Sequence, residues 1–190
     1  MTDRELLNMA EDRGVKVGPS GLLLFGNVFA RTLDRPRPGE LRGRPITPWA
    51  KYPNGAKTVG LNKLLDVAFR NQTQITQWYC GLIAESGYSS ESAADTSASH
   101  AGWSELTTYT SSTRLAWSPG AASSGTITIS SAMSFTTNAD SQIRGILIAS
   151  SSTKSSIVDV LWATATEASA RTILSGQTYE VYYTITATPG

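Results

Sequence analysis

From about residue 71 to its end the chain carries little charge and consists largely of Ser, Thr and Ala between short apolar segments. The clearest segment is 177–186, in which Tyr179, Val181, Tyr183 and Ile185 alternate with other residues. A period of two places successive side chains on opposite faces of a strand. Turn-forming Ser, Pro and Gly residues recur between the segments. The pattern predicts an all-β domain, namely a β-sandwich with jelly-roll-like topology.

Further strands are predicted at short intervals along this part of the chain, at residues 78–83, 114–117, 126–129, 143–149, 157–162 and 172–174. The secondary structure of segment 163–170 stays ambiguous. Residues 85–99 form a polar loop whose length indicates that it is either mobile or functional. Near the N-terminus, segment 22–31 is apolar, and at its length periodicity does not separate a short helix from a buried strand.

The N-terminal part differs because residues 31–57 contain five of the eight prolines. Proline fixes φ, lacks an N–H donor and pushes the preceding residue toward extended geometry, so this segment is predicted to be an extended strap. With a short helix at residues 3–11, the strap forms a predicted arm of residues 1–57. The β-sandwich domain, 58–190, is predicted to begin with a helix at 59–70.

That helix has apolar residues at i, i+3, i+4, i+7 and i+8, which is the spacing of one helix face. The residues are Leu61, Leu64, Leu65, Ala68 and Phe69. The helix is therefore expected to connect the arm with the domain.

The net charge of +1 is the sum of two parts of the chain with opposite sign. Residues 1–70 carry twelve Lys or Arg against seven Asp or Glu, a net of +5, whereas residues 71–190 carry four against eight, a net of −4. The basic residues are dispersed and interleaved with Asp34 and Glu40, which is untypical of a nucleic-acid binder. A positive arm on an acidic protein surface fits the distribution as well.

Two interpretations of the strap stay open: a solvated linker, and an arm that becomes ordered on a neighbouring subunit. Trp49 favours the second, since Trp and Arg are the usual anchors of interfaces. Disordered arms that fold on binding can wrap a large surface. The predicted partner-binding residues come from the strap and from the apolar segment before it, as a second docking element: Arg35, Arg37, Arg42, Arg44, Trp49, Leu22, Leu24, Phe25 and Phe29.

Cys80 is the only cysteine and His100 the only histidine, which excludes a disulfide within one chain and metal sites built on several of these residues. Cys80 is expected to be buried among apolar neighbours, and His100 to pack by Trp103 and fix a loop. No nucleophile elbow, phosphate loop or calcium pattern occurs. The carboxylates show no pair that the spacing singles out for glycoside hydrolysis. We therefore expect no enzyme activity, cofactor or metal, with a glycan hydrolase as the alternative from the enzyme class.

The longest apolar run, residues 22–25, is too short to span a membrane. The polar first residues predict that no signal peptide is present. We expect a soluble protein that is made in the cytoplasm.

The aromatic residues of the β domain allow two interpretations, a carbohydrate-binding groove or ordinary core packing with the indole N–H groups bonded to neighbouring strands. Core packing is the more frequent role. The residues are Trp78, Tyr79, Trp103, Tyr109, Trp117, Trp162 and Tyr182.

Several short motifs also follow one another in a familiar order: LNKLLDVAF at 61–69, WYCGLI at 78–83, SHAGW at 99–103, RLAWSPG at 114–120, and Leu161-Trp162 with segment 179–184. Over residues 60–190 they resemble a group of small virion-associated proteins of tailed bacteriophages. The resemblance implies a structural protein of the phage particle, a head cement or decoration protein located in the virion after synthesis in the host bacterial cytoplasm.

A cement protein of this kind would bind the major capsid protein, or other virion proteins, across the joints between capsomers. Decoration often occurs at three-fold positions, so a homotrimer is expected. A neck, tail or fibre component is the alternative, anchored by its N-terminus and binding a host glycan through its β domain.

Overall fold

The computed structural model describes residues 22–189 as two antiparallel β-sheets and one helix, which confirms the predicted all-β sandwich. The helix predicted at residues 3–11 lies outside the described residues. Residues 22–189 contain no helix that could span a bilayer. The elements in chain order are β1 (Leu22–Leu33), β2 (Ala50–Pro53), β3 (Gly55–Ala56), α1 (Thr58–Phe69), β4 (Trp78–Ala84), β5 (Glu105–Leu106), β6 (Leu115–Trp117), β7 (Thr126–Thr128), β8 (Met133–Thr136), β9 (Ser141–Ala149), β10 (Leu161–Ile173) and β11 (Thr178–Pro189).

The first sheet has five strands in the order β2-β1-β11, and both β7 and β8 then pair with β11. The second sheet has six strands in the order β3-β10-β9-β4, and both β5 and β6 then pair with β4. The chain passes from the first sheet to the second after β2 and returns for β7. It passes again after β8 and returns for β11. Each sheet is therefore assembled from distant parts of the chain.

Strand β1 belongs to the middle of the first sheet, so the predicted domain boundary at residue 57 is wrong. Its whole length pairs with β11, from Leu22 opposite Pro189 to Leu33 opposite Thr178. Its other side pairs with β2. The apolar segment that was predicted to be a docking element is a strand because alternate residues, among them Val28, face the core between the sheets.

The proline-rich strap folds back on the sheet that contains β1. The main-chain N–H of Asp34 donates to the carbonyl of Arg44 over 2.8 Å, and the N–H of Ile46 donates to the carbonyl of Thr32 over 3.0 Å. Residues 34–49 have no regular strand or helix, as their prolines predict. Beyond them, β2 continues the sheet, so residues 22–57 form part of the sandwich.

The main core lies between the two sheets and takes residues from both. The first sheet contributes Val28, Phe135, Tyr179, Val181 and Tyr183, and the second contributes Cys80, Leu82, Ile143, Ile146 and Ile148. Cys80 is a buried free cysteine, as the sequence predicts. Burying each large apolar side chain stabilises the fold by about 1.5–3 kcal/mol, so this core supplies much of the driving force for folding.

The outer face of the second sheet is covered by the long polar loop, which is packed against the sheet. Beneath the loop lies a second apolar cluster that contains Ile83, Trp103, Leu147 and Leu161. The Tyr88 hydroxyl lies 3.5 Å from the Thr166 hydroxyl of β10. Covering this face explains why the domain has such a long loop.

Strand β10 is longer than the sequence indicates. It begins at Leu161, and Ile157 and Val158 before it are exposed, so the strand predicted at 157–162 begins later. The ambiguous segment 163–170 is part of the strand. The register against β9 shifts between Thr166 and Arg171, and this irregularity breaks the alternation that would have identified the strand.

Candidate docking surface

The helix α1 is correctly predicted, but its apolar side faces outward. Leu61 is 36% exposed, Leu64 42%, Leu65 53% and Phe69 81%. We call these four residues the α1 stripe. The opposite side of the helix, which includes Val59 and Gly60, packs on the sandwich. Monomeric proteins rarely expose a large contiguous apolar patch unless the patch is an interaction site.

Gly60 explains why the helix lies in this orientation. A Cβ at this position would lie 2.8 Å from the Cα and 2.9 Å from the carbonyl oxygen of Trp162. The glycine therefore permits main-chain contact between α1 and β10. The N–H of Lys57 also donates to the carbonyl of Trp162 over 2.8 Å, which holds the start of the helix on the same strand.

A groove of about 470 Å³ lies beside the α1 stripe, at an end of the sandwich to which both sheets contribute. Leu64 belongs to both the stripe and the groove. The half-buried ring of Trp78 lies 6.0 Å from the ring of Trp162. The other lining residues are mixed in polarity: Gly60, Lys63, Val67, Gln74, Ile75, Thr76, Gln77, Trp117, Ser118, Pro119, Ile127 and Ile185. Stripe and groove together form one continuous, mainly apolar surface.

Hydrogen bonds fix the walls of the groove. The Gln77 side-chain amide donates to the carbonyl oxygens of Trp78 at 2.7 Å and Trp117 at 2.8 Å, which joins the segment before β4 to β6. The indole N–H groups of Trp117 and Trp162 donate to the Tyr183 carbonyl at 3.0 Å and the Tyr183 hydroxyl at 2.8 Å. A groove with preformed walls binds a partner at a low cost in conformational entropy.

Most of the aromatic residues that were candidates for a carbohydrate groove are part of the protein interior. Trp117 and Trp162 are buried, and Trp103 is buried with its N–H donating to Asp95 over 2.9 Å. The Tyr109 ring packs edge-on against Phe135. Of the groove's three tryptophans, Trp78 alone is half-buried.

The predicted arm contacts do not lie together on a free arm. Arg42 forms an ion pair with Glu180, a buried residue of β11, and Arg31 joins it with an Nε–Oε2 distance of 2.9 Å. Arg44 pairs with Glu40 on the surface. The side chains of Arg35 and Arg37 are exposed and make no ion pair with any residue in the described range.

Trp49 also packs on its own sheet. Its ring centroid lies 5.2 Å from that of Tyr182 and 4.4 Å from the guanidinium carbon of Arg31. Phe29 is buried, and Leu24 packs against the main core. Leu22 and Phe25 occupy paired positions in β1, opposite Pro189 and Thr186. The structure therefore brings α1 and the groove together as a surface, and separates the predicted arginines from it.

The titratable residues form structural networks. Arg114 is buried between Glu105 and Asp159. Burial opposes its charge, but its hydrogen bonds with Glu105 and Asp159 raise its pKa overall. His100 stacks on Trp103 with a centroid distance of 3.9 Å, which is the loop-fixing role expected for it.

A second network surrounds Glu167 in β10. The carboxylate accepts a hydrogen bond from the Tyr179 hydroxyl at 2.6 Å and pairs with Arg171 at 3.0 Å. Burial, followed by the charge of Glu167, raises the pKa of Tyr179 well above its usual value. Within residues 22–189, no group of three or more His, Cys, Asp or Glu residues is arranged to hold a metal ion.

Sequence reasoning found α1 but not the exposure of its apolar side, since helical periodicity is the same whether a stripe faces a core or a partner. No local sequence pattern predicts the groove, because its walls come from both sheets. Comparisons with protein-family models, curated proteins and solved structures give no match.

Proposed function

We propose that this protein is a non-enzymatic structural protein that docks on a larger protein shell and stabilises it. The observation that carries the proposal is the exposed α1 stripe, which continues into the groove beside it. The sequence resemblance to virion proteins of tailed phages makes a phage head the shell that we propose. In this role the protein is a cement or decoration protein that binds the major capsid protein.

The stripe and groove favour an apolar segment of the shell protein as the occupant. Complete burial of a Leu or Phe side chain contributes about 1.5–3 kcal/mol, and the four stripe residues already bury part of their surface. Each docked copy therefore gains only a few kcal/mol from the stripe itself. Many copies, linked through the shell, add these contributions together.

Two features favour a binding role over catalysis. The buried carboxylates Glu105, Asp159 and Glu167 are paired with arginines, and His100 is stacked on an indole. Apart from Lys63, the groove is lined by apolar side chains, amides and hydroxyls. Such a surface can hold a partner in place, and its lining residues include no carboxylate or imidazole that could act as a general base.

The proposal is tested by adding purified protein to shells from its source that lack it. Saturable co-sedimentation in many copies, with a higher temperature of shell disruption and greater resistance to a chelator, is the expected result. Docking of a few copies without any effect on shell stability would instead place the protein at the neck or tail. An absence of binding to shells, necks and tails would refute the virion assignment.

A glycan-binding component of the neck, tail or fibre is the second candidate, and the half-buried Trp78 favours it. An indole face beside the polar groups of Gln74 and Ser118 suits the apolar face and hydroxyl rim of a sugar ring. The candidate predicts that the purified protein binds host glycans and that Trp78→Ala abolishes this binding. Failure to bind any host glycan would eliminate it.

A further inference from the structure

Lys57, the residue immediately before α1, has a buried side chain in contact with two carboxylates. It is 2% exposed. Its Nζ lies 2.8 Å from the carbonyl oxygen of Ser92, 3.4 Å from Oε2 of Glu91 and 3.7 Å from Oδ2 of Asp95. One amine and two carboxyl groups thus share a small site between α1 and the loop that covers the second sheet.

Main-chain hydrogen bonds hold both sides of this site in place. Next to Lys57, the N–H of Thr58 donates to the carbonyl of Ala93 over 2.9 Å. On the loop, the N–H of Asp95 donates to the carbonyl of Ser92 over 3.1 Å. The amine and the Asp95 carboxyl group are therefore positioned before any reaction, which is the condition under which an intramolecular step gains most.

One oxygen of Asp95 receives two hydrogen bonds. The main-chain N–H of Ser92 donates to Oδ2 over 2.8 Å, and the indole N–H of Trp103 donates to the same oxygen over 2.9 Å. Two fixed donors on one carboxyl oxygen stabilise the negative charge that develops there when a nucleophile attacks the carbon. A simple ion pair with Lys57 does not require this arrangement.

Glu91 is placed to accept a proton from the Lys57 amine. Its Oε2 is the carboxylate oxygen nearest to the amine, and its Oε1 accepts a hydrogen bond from the Thr166 hydroxyl at 2.9 Å. Unlike Lys57, the Glu91 side chain is partly exposed, which gives the released water a path to solvent.

We infer that Lys57 and Asp95 form an intramolecular amide bond, with Glu91 as the group that transfers protons. One proton of the ammonium first passes through Glu91 to Oδ1 of Asp95, which leaves a neutral amine and a neutral acid whose Oδ1 hydroxyl is the leaving group. The Nζ lone pair attacks Cγ, and Oδ2 carries the negative charge against the two N–H donors. Glu91 takes a proton from Nζ and delivers it to the departing hydroxyl group, which leaves as water while the Cγ=Oδ2 bond reforms.

The products are one amide and one water, and Glu91 returns to its carboxylate form, so no oxidant or cofactor is needed. Two buried opposite charges are replaced by a neutral group, which removes the desolvation cost of keeping them buried. The bond joins the start of α1 covalently to the loop over the second sheet. The bond does not depend on the proposed function, although a cross-link at the base of α1 suits a protein that bears load.

The test is the intact mass of the folded, full-length protein, measured under denaturing conditions. The expected mass is lower than the sequence mass by one water. Lys57→Arg and Asp95→Ala should restore the full mass, whereas Lys63→Arg, a matched change in the same helix region, should keep the loss. Asp95→Asn should lose ammonia and arrive at the wild-type mass, because it forms the same amide. Glu91→Gln should leave most of the chain unlinked.

Tryptic mapping locates the bond. An acylated Lys57 resists trypsin, so the wild-type protein should yield peptide 52–63 joined to peptide 71–114. A full intact mass in folded wild-type protein, after prolonged incubation, would overturn the inference whether or not the variants fold. A water loss confined to peptide 71–114 alone would also overturn it, because that result indicates a succinimide.

Discussion

Gly60 of α1 lies directly against the main chain of Trp162 in β10, with space for a hydrogen but not for a methyl group. This contact fixes the side of the helix that faces the sandwich. It therefore fixes the exposure of the α1 stripe on the other side. The orientation of the proposed docking surface depends on one glycine.

Replacing that glycine tests the contact. Gly60→Ala should destabilise the fold by about 1–3 kcal/mol through overpacking, although alanine is the better helix former. Urea unfolding measures the change. Gly120→Ala is the matched control, since a Cβ there meets nothing within 4 Å. If Gly60→Ala unfolds at the wild-type urea concentration or above, the helix is not held as described.

The stripe should contribute little to the stability of the isolated protein. Phe69→Ala should change the free energy of unfolding by less than about 0.5 kcal/mol, because the ring is mostly exposed. Phe135→Ala, in the core between the sheets, should cost about 3–5 kcal/mol. A large loss for Phe69→Ala in thermal or urea unfolding would show that the stripe belongs to the core.

The strap should open when its ion pair with β11 is removed. Glu180→Gln leaves Arg31 and Arg42 without their carboxylate and should cost about 1–3 kcal/mol. Arg42 precedes Gly43, whereas Arg35, Arg37 and Arg44 each precede a proline that blocks trypsin.

Limited proteolysis therefore reports on the strap. Trypsin should cut after Arg42 several-fold faster in Glu180→Gln than in the wild type. Glu40→Gln removes the surface ion pair with Arg44 but keeps a side-chain oxygen for the Arg37 N–H, so it should leave the rate unchanged. Equal cleavage rates in the wild type and Glu180→Gln would show that the ion pair does not hold the strap.

Stability should fall at alkaline pH. Burial raises the pKa of Cys80, Tyr179 and Tyr183 above their usual values of 9.0 for the thiol and 10.0 for the phenols. Above those values the unfolded chain loses protons that the folded chain retains, so the folded state loses stability. Each group contributes up to about 1.4 kcal/mol per pH unit.

Urea unfolding between pH 8 and pH 11 measures this effect. The free energy of unfolding should be lost progressively from about pH 9, and faster above pH 10. Cys80→Ala should reduce the slope between these two values. A free energy of unfolding that stays constant up to pH 11 would contradict the burial of these three groups.

The sequence predicts those parts of the fold that local patterns determine. Strand β11 alternates along its length, and α1 has helical spacing, so both were identified with nearly correct bounds. Cys80 has apolar neighbours on both sides and is buried as expected. In these cases the residue pattern of a single segment was sufficient to predict the structure.

The remaining features depend on contacts between distant segments. Strand β1 pairs with β11 at the opposite end of the chain, and no local signal distinguishes that pairing from a short helix. Arg42 was predicted to contact a partner, but it forms an ion pair with Glu180 of the same chain, which is far away in sequence. Lys57 and Asp95 are also far apart in sequence, so only the fold brings them together.

Binding of surface variants to the shell shows whether α1 is the docking element. Phe69→Asp should weaken binding to shells that lack the protein by about tenfold or more, since it removes an apolar contact and buries a charge. Val158→Asp is the matched control, because Val158 is 91% exposed and lies outside the stripe and groove. We expect Val158→Asp to bind like the wild type, whereas Phe69→Asp should bind more weakly. Wild-type binding by folded Phe69→Asp would contradict docking through α1.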